Sequence, residues 1–472
     1  MVTKKKALKG VLWSGIERFS VQGIQFVVSI VLARLLTPSD FGVVAIVLVF
    51  STIVQTINES GFNVALVHKQ DRDNIDFSTA FITNLIIGIV SYLLLFVTAP
   101  LIARFYENDT LTNVMRILSL NLIIQAIGLV PLAIYTIRVD FKTQARASLT
   151  ASIVSGIVGI TCAYFFRSVY AIVVQQLVYS ILYVSLMWIF VHVRFALLFS
   201  KERFRFLFSY ASKLIGARVI NVVFDDIYSL AIGKLYTPAV LGCYNRSMSF
   251  RQVLSKNIIN IVQRVSVPLL CESQDDYNRM KRVLLKFMRM TALIVYPMLA
   301  GLMVLSKPLI LVLLGVQWEF AAELLIYGCP CGFFYLISTF NRNIYNATGR
   351  TDLALKTEVL KKSIFIIVFL LTMKYKIQVL LLGLVLIAII EMLIDVFMAK
   401  RQIGVTFVEE IKSVSGVLIA TLIMAIIVQY VITLFNKQLV QLIVGFITGV
   451  CVYFFICFTF NIANIRSEIK TL

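Results

Sequence analysis

The chain has 472 residues, 60% of them hydrophobic, and a mean hydropathy of +0.91. That exceeds the roughly 45–50% apolar share of a soluble domain, and the apolar runs are too long and continuous for a β-barrel, whose strands alternate with period two. The formal net charge of +20 comes without a homeodomain, zinc-finger or RNP pattern, so the expected partner is the phospholipid membrane and not nucleic acid.

The reading is therefore an all-α integral membrane protein. Fourteen transmembrane helices are predicted, near 11–36, 41–67, 77–102, 112–137, 145–167, 169–191, 207–233, 239–267, 287–312, 319–346, 353–373, 377–399, 413–435 and 438–462. Each is long enough for a hydrocarbon core of about 30 Å. The run after Lys4-Lys5-Lys6 is too long for a cleavable leader, so the first helix is expected to stay as an anchor. With the amino terminus inside, 27 loop cations fall inside and 8 outside, which predicts that both termini are cytoplasmic.

A repeat runs along these elements at an offset of 200 residues. It matches Arg18 to Arg218, Ser29 to Ser229, Leu35 to Leu235, Thr37-Pro38 to Thr237-Pro238 and Gly42 to Gly242. Gln70-Asp71-Arg72-Asp73-Asn74 is echoed by Gln274-Asp275-Asp276-Tyr277-Asn278. Two six-helix lobes in a parallel repeat are expected. The N-lobe is 1–193, a basic cytoplasmic linker is 194–206, the C-lobe is 207–400, and helices 13 and 14 occupy 401–472.

The loops leave nine cations inside the predicted helices: Arg18, Arg116, Lys213, Arg218, Arg246, Arg251, Lys256, Arg264 and Arg342. Some can snorkel from helix ends, but Arg18, Arg218, Arg251, Lys256 and Arg342 are harder to excuse. A lipid-facing Arg or Lys at mid-helix costs about 2.5–3.5 kcal/mol, so these side chains are expected to face water or acids inside the protein. At 100° per residue, Arg18, Gln22 and Gln25 share a face, as do Arg218, Asn221 and Asp225, and as do Arg246, Asn257 and Arg264. Matching polar stripes predict a positive central cavity, and the Arg fork suits phosphate. The competing reading is inter-helix pairing, for example Arg218 with Asp225. Glu17, Glu59 and Asp225 are candidates for such pairing, or for exchanging a proton or sodium ion.

Other chemistries are poorly supported. The seven cysteines are scattered, and Cys329-Pro330-Cys331 reads as a packed, kinked helix ahead of a metal pair. No metal or cofactor is expected. The two histidines, His68 and His192, sit near helix ends, and no HExxH, GxSxG or P-loop occurs.

Several stretches carry a family likeness. They are Leu35-Leu36-Thr37-Pro38-Ser39-Asp40-Phe41-Gly42, Gly61-Phe62-Asn63-Val64-Ala65-Leu66-Val67, Arg138-Val139-Asp140-Phe141-Lys142, Ile232-Gly233-Lys234-Leu235 and Leu241-Gly242-Cys243-Tyr244-Asn245-Arg246. In this order they resemble the polysaccharide transporter family, the O-antigen and exopolysaccharide lipid-linked repeat-unit flippases of the multidrug/oligosaccharidyl-lipid/polysaccharide exporter superfamily. Cys243 stands where that family often has tyrosine. The resemblance implies alternating access and no enzyme activity. It implies a cargo of undecaprenyl-pyrophosphate-linked oligosaccharide crossing a bacterial inner membrane for O-antigen, capsule or exopolysaccharide synthesis. It assigns the pyrophosphate to Arg18, Arg218 and Arg246, with drive from an ion gradient or membrane potential. A polysaccharide polymerase complex is a further candidate partner. The alternatives are a drug exporter of the same superfamily, a membrane enzyme of envelope assembly, and a scaffold.

Overall fold

A computed structural model describes residues 4–59, 66, 67, 69, 71, 73–191 and 198–462. Side chains at 4–12, 14, 16, 18, 57–59, 206, 207, 209–218, 220, 346 and 351 are outside that description. Eighteen α-helices follow in order: α1 Lys4–Leu35, α2 Pro38–Glu59, α3 Asn74–Phe105, α4 Thr110–Leu118, α5 Leu120–Arg138, α6 Phe141–Phe166, α7 Tyr170–Val191, α8 Lys201–Leu235 and α9 Pro238–Leu254, then α10 Lys256–Cys271, α11 Tyr277–Val304, α12 Ser306–Leu313, α13 Glu319–Gly328, α14 Pro330–Ala347, α15 Thr351–Thr372, α16 Ile377–Ile403, α17 Phe407–Thr433 and α18 Gln438–Thr459.

The helix starts are written in the sequence. Pro38 and Pro238 occupy first helical positions, where a missing N–H costs nothing. Asp73 and Asp76 form a capping box at α3, and Thr406 and Glu409 form another at α17. Gly404 closes α16 in the left-handed conformation at φ 70°.

Chain contacts divide the molecule into two compact units, Met1–Gly242 and Cys243–Leu472. The expected lobes divide the chain by sequence repeat; these units divide it by packing, and α8 packs with the first.

In the first unit α6 lies against α1 and α7, α5 bridges α3 and α7, and α2 packs on α8. The buried face of α6 is built of small residues, Ala145, Ala147, Ser148, Ala151, Ser152, Ser155, Gly156, Gly159 and Ala163. A Cβ at Gly156 would come within 2.6 Å of Val28 on α1, and one at Gly159 within 2.6 Å of Gln175 on α7. Small residues let membrane helices approach this closely. The two Thr-Pro turns of the repeat also meet here. A Cβ on Gly42 would lie 1.8 Å from the Pro238 carbonyl oxygen, and one on Gly242 1.9 Å from that of Pro38. Both glycines are fixed by a reciprocal backbone contact. Outward faces are apolar: on α3, Ile86, Val90, Leu93, Leu94, Val97 and Leu101 are exposed, as a lipid-facing helix requires.

In the second unit α17 packs between α11 and α18, and α14 packs on α16, α11 and α10. Ala420, Met424, Val428, Tyr453 and Ile456 form the apolar contact of α17 with α18.

Among the described residues nine helical segments are long and apolar enough to cross a membrane, ten if the bent pair Val316–Gly328 and Pro330–Tyr345 is one span. Of the other predicted crossings, 239–267 and 353–373 fall outside this set, while 11–36 and 207–233 include residues outside the described side chains. Several predicted single helices are also broken. The helix at 239–267 breaks at Ser255, whose hydroxyl donates back to the Arg251 carbonyl at 2.9 Å. The helix at 112–137 breaks at Ser119, and that at 319–346 bends by 41° before Pro330. The single-helix stripe of Arg246, Asn257 and Arg264 is therefore corrected: Arg246 lies on α9, the other two on α10.

Candidate substrate-binding cations and a buried charge cluster

The sequence-derived candidates fall on distinctive helices. Arg18 is on α1 and Arg218 is on α8. Arg246 and Arg251 are on α9, Lys256 opens α10, and Arg342 is on α14, within the bent pair. Arg246, Arg251, Lys256 and Arg342 thus lie on helices interrupted at Ser255 or bent before Pro330.

The side chains of Arg18, Arg218 and Glu59 lie outside the described residues. Arg246 is half-buried, while Lys256 and Asp225 are exposed. Asn221, on the face sequence spacing assigns to Arg218 and Asp225, is also exposed, so α8 presents polar groups where a lipid-facing helix would not. Glu17 is half-buried on α1 and accepts a hydrogen bond from Ser148 Oγ on α6 at 3.0 Å.

Arg251 and Arg342 have protein partners. Arg251 Nη1 donates to the Gly328 carbonyl at 3.1 Å. That carbonyl is released by the helix break: the Gly332 N–H, its regular helical partner, donates to Cys329 O instead, at 2.9 Å. Cys329 and Cys331 are buried at this break, the kinked-helix arrangement expected for Cys329-Pro330-Cys331. Arg342 Nη1 reaches Glu358 on α15 at 3.3 Å, with both side chains over a third exposed.

Beside this pair lies a cluster that sequence reasoning missed. Lys361 on α15, 3% exposed, holds Asp395 on α16, 0% exposed, with its ammonium 2.6 and 2.7 Å from the two carboxylate oxygens. Ser338 Oγ donates to the same carboxylate at 2.5 Å and the Tyr345 hydroxyl at 3.2 Å, both from α14. Four short contacts saturate Asp395. Lys361 is thus not a solvated loop cation: its side chain is buried and ion-paired. The available signal was Glu391 and Asp395, one turn apart in the otherwise apolar α16. Such acids demand a nearby cation, and α15 supplies one.

Three further ion pairs lie toward helix ends: Lys69–Asp76 at 2.6 Å, Lys281–Glu409 at 2.6 Å and Lys234–Glu107 at 2.8 Å. Among the described residues no group of three or more His, Cys, Asp or Glu side chains could hold a metal ion.

A family model described as polysaccharide biosynthesis protein matches residues 31–323. The chain belongs to that family. It is 24% identical over 353 residues to the teichuronic acid biosynthesis protein TuaB of Bacillus subtilis, covering 74% of this chain and 73% of the relative. It is 23% identical over 320 residues to the succinoglycan biosynthesis transport protein ExoT of Rhizobium meliloti, covering 68% and 65%. The lipopolysaccharide biosynthesis protein WzxC of Escherichia coli is 23% identical over 368 residues, covering 78% and 75%. Among solved structures, the lipid II flippase MurJ in an inward closed conformation superposes with a TM-score of 0.75 at 18% identity, covering 95% of this chain and 98% of that one. An inward-facing multidrug transporter of the MATE family superposes at 0.63 with 13% identity, covering 84% and 98%. The fold is thus shared with these two structures. The chain is a multi-pass membrane protein of a polysaccharide biosynthesis family.

Proposed function

We propose that this polysaccharide biosynthesis protein is a flippase. Its cargo is a polyprenyl-pyrophosphate-linked oligosaccharide, and alternating access carries the repeat unit across the bacterial cytoplasmic membrane. The observation that supports this reading is the placement of Arg246, Arg251, Lys256 and Arg342 on helices interrupted at Ser255 or bent before Pro330. Helices of that kind are tolerated at membrane depth where they line water or are shielded by protein. In this reading all fourteen predicted segments cross, both termini are cytoplasmic, and the two repeats at 1–193 and 207–400 act as the moving lobes.

The candidates then take different roles. Arg18, Arg218 and Arg246 attract the pyrophosphate, with the repeat supplying one arginine from each lobe at an equivalent place. Lys256, exposed at the start of α10, adds positive potential. Arg251 and Arg342, already engaged by Gly328 O and Glu358, hold helices in place. An apolar cavity of about 420 Å³ in the second unit suits the polyprenyl chain; it is lined by Leu293, Pro297, Leu305, Val428, Phe446 and Tyr453 among others.

The test is Arg218→Ala in a strain whose surface polysaccharide depends on this gene. Export is expected to stop while protein level in the membrane is kept. Full export would remove Arg218 from the mechanism. A deletion strain with intact polysaccharide and raised drug sensitivity would favour drug export instead.

A further inference from the structure

Two buried carboxylates lie close together in the second unit, and among the described residues only one is satisfied. Asp395 accepts from Lys361, Ser338 and Tyr345. Glu410, on the first turn of α17, is 0% exposed and accepts one hydrogen bond, to Oε2 from Asn341 Nδ2 at 2.9 Å. The amide orientation of Asn341 is fixed, because Nδ2 also donates to the Ile337 carbonyl at 3.1 Å. Both amide protons are therefore used, and Asn341 Oδ1 faces no donor. Glu410 Oε1 and Asn341 Oδ1 are both buried without a hydrogen-bond partner among the described residues.

Among the described residues an ionised Glu410 in this position would be a buried charge without a cation. Losing water costs such an ion several kcal/mol, and a single neutral amide donor does not repay it. The nearby charges make matters worse. Asp395 from α16 and Glu409 from its own helix are both acidic, and their cations, Lys361 and Lys281, are committed to them. A metal ion fits poorly as well: two unpartnered oxygens fall far short of a cation's coordination shell.

We propose that Glu410 and Asn341 form a buried proton-binding site. Glu410 carries its proton in the conformation described here and releases it when this end of α17 opens to water. On release the carboxyl O–H bond breaks, the proton passes to water as hydronium, and the electron pair stays on the carboxylate. This rests on the transport reading only for what the proton is used for, namely coupling the cycle to a proton gradient.

The experiment is infrared difference spectroscopy of the purified full-length protein in nanodiscs, wild type minus Glu410→Gln, at neutral pH without sodium. The expected result is a protonated-carboxyl band that is present in wild type, absent in the variant and shifted in D2O. Loss of an ionised-carboxylate band instead would overturn the proposal, as would a carboxyl band that sodium abolishes. Asn341→Ala is a second arm should Glu410→Gln fail to fold: losing its donor is expected to shift the same band, and an unmoved band would overturn the pairing. In proteoliposomes, a pH gradient is expected to accelerate movement of lipid-linked oligosaccharide by wild type, and Glu410→Gln to lose that acceleration. Absent glycan movement by wild type would sink the flippase reading while the infrared result still stood.

Discussion

The two compact units solve the same packing problem with opposite chemistry. In the first, α1, α6 and α7 meet through a seam of Ala, Ser and Gly, and Gly156 and Gly159 leave room for no Cβ. In the second, α14, α15 and α16 meet around the Lys361–Asp395 pair with Ser338 and Tyr345. Lipid offers little hydrophobic drive between helices, so close backbone approach and polar contacts carry the association. The seam tolerates no added volume; the cluster tolerates no unbalanced charge.

The largest expected effect breaks the cluster. Lys361→Met leaves Asp395 buried without its cation and should destabilise by about 3–5 kcal/mol. Combining it with Asp395→Asn removes both charges yet keeps an acceptor for Ser338 and Tyr345, and should recover much of the loss. Thermal unfolding in detergent reads both; a single variant as stable as wild type would show that the pair is dispensable.

Overfilling the seam should cost less, about 1–3 kcal/mol for Gly156→Val, because Val28 can give a little. Gly42→Ala belongs with it, since its Cβ would strike a backbone carbonyl that cannot rotate away. Gly42→Ala and Gly242→Ala disturb one shared contact, so the double variant should lose less than the sum of the singles. Strict additivity in unfolding measurements would argue against reciprocity.

The smallest effect lies at the end of α8. A hydrogen bond from Lys234, aided by its charge, holds the exposed Glu107 carboxyl below its ordinary value of 4.5. A carboxyl lowered in the folded state contributes stability above its unfolded pKa, and that contribution fades as pH falls through the folded value. Wild type should therefore exceed Glu107→Gln slightly in melting temperature at neutral pH, and the gap should close on acidification below 4.5. Both partners being exposed keeps it small. A gap that widened in acid would contradict the pairing.

Much of the fold was legible. Long apolar runs located the helices, and Pro38, Pro238, Asp73 and Thr406 mark their starts by local chemistry that needs no tertiary partner. The helix breaks were less so. Pro330 signals the bend at Gly328, but nothing in the one-dimensional pattern distinguishes Ser255 from any other serine in a helix. For the site, the six cations and the polar face of α8 follow from charge inside apolar runs. Which of them are free to meet a ligand does not. Arg251 is engaged by a carbonyl 77 residues away, and Arg342 by an acid on the next helix. The predicted helix start at 413 leaves Glu410 in a loop, although Thr406-x-x-Glu409 is a capping box in plain view that starts the helix at Phe407.

By itself the sequence determined that this chain lives in a membrane and that it carries cations lipid would not accept. Those conclusions rest on transfer free energy and helical period, which act residue by residue. Only the tertiary structure decided which charges are satisfied. Lys361 and Asp395 are 34 residues apart, and their 2.6 Å contact exists because α15 packs on α16. Glu410 stands out for the complementary reason: burial removed its water, and among the described residues the packed helices supply one donor and no cation.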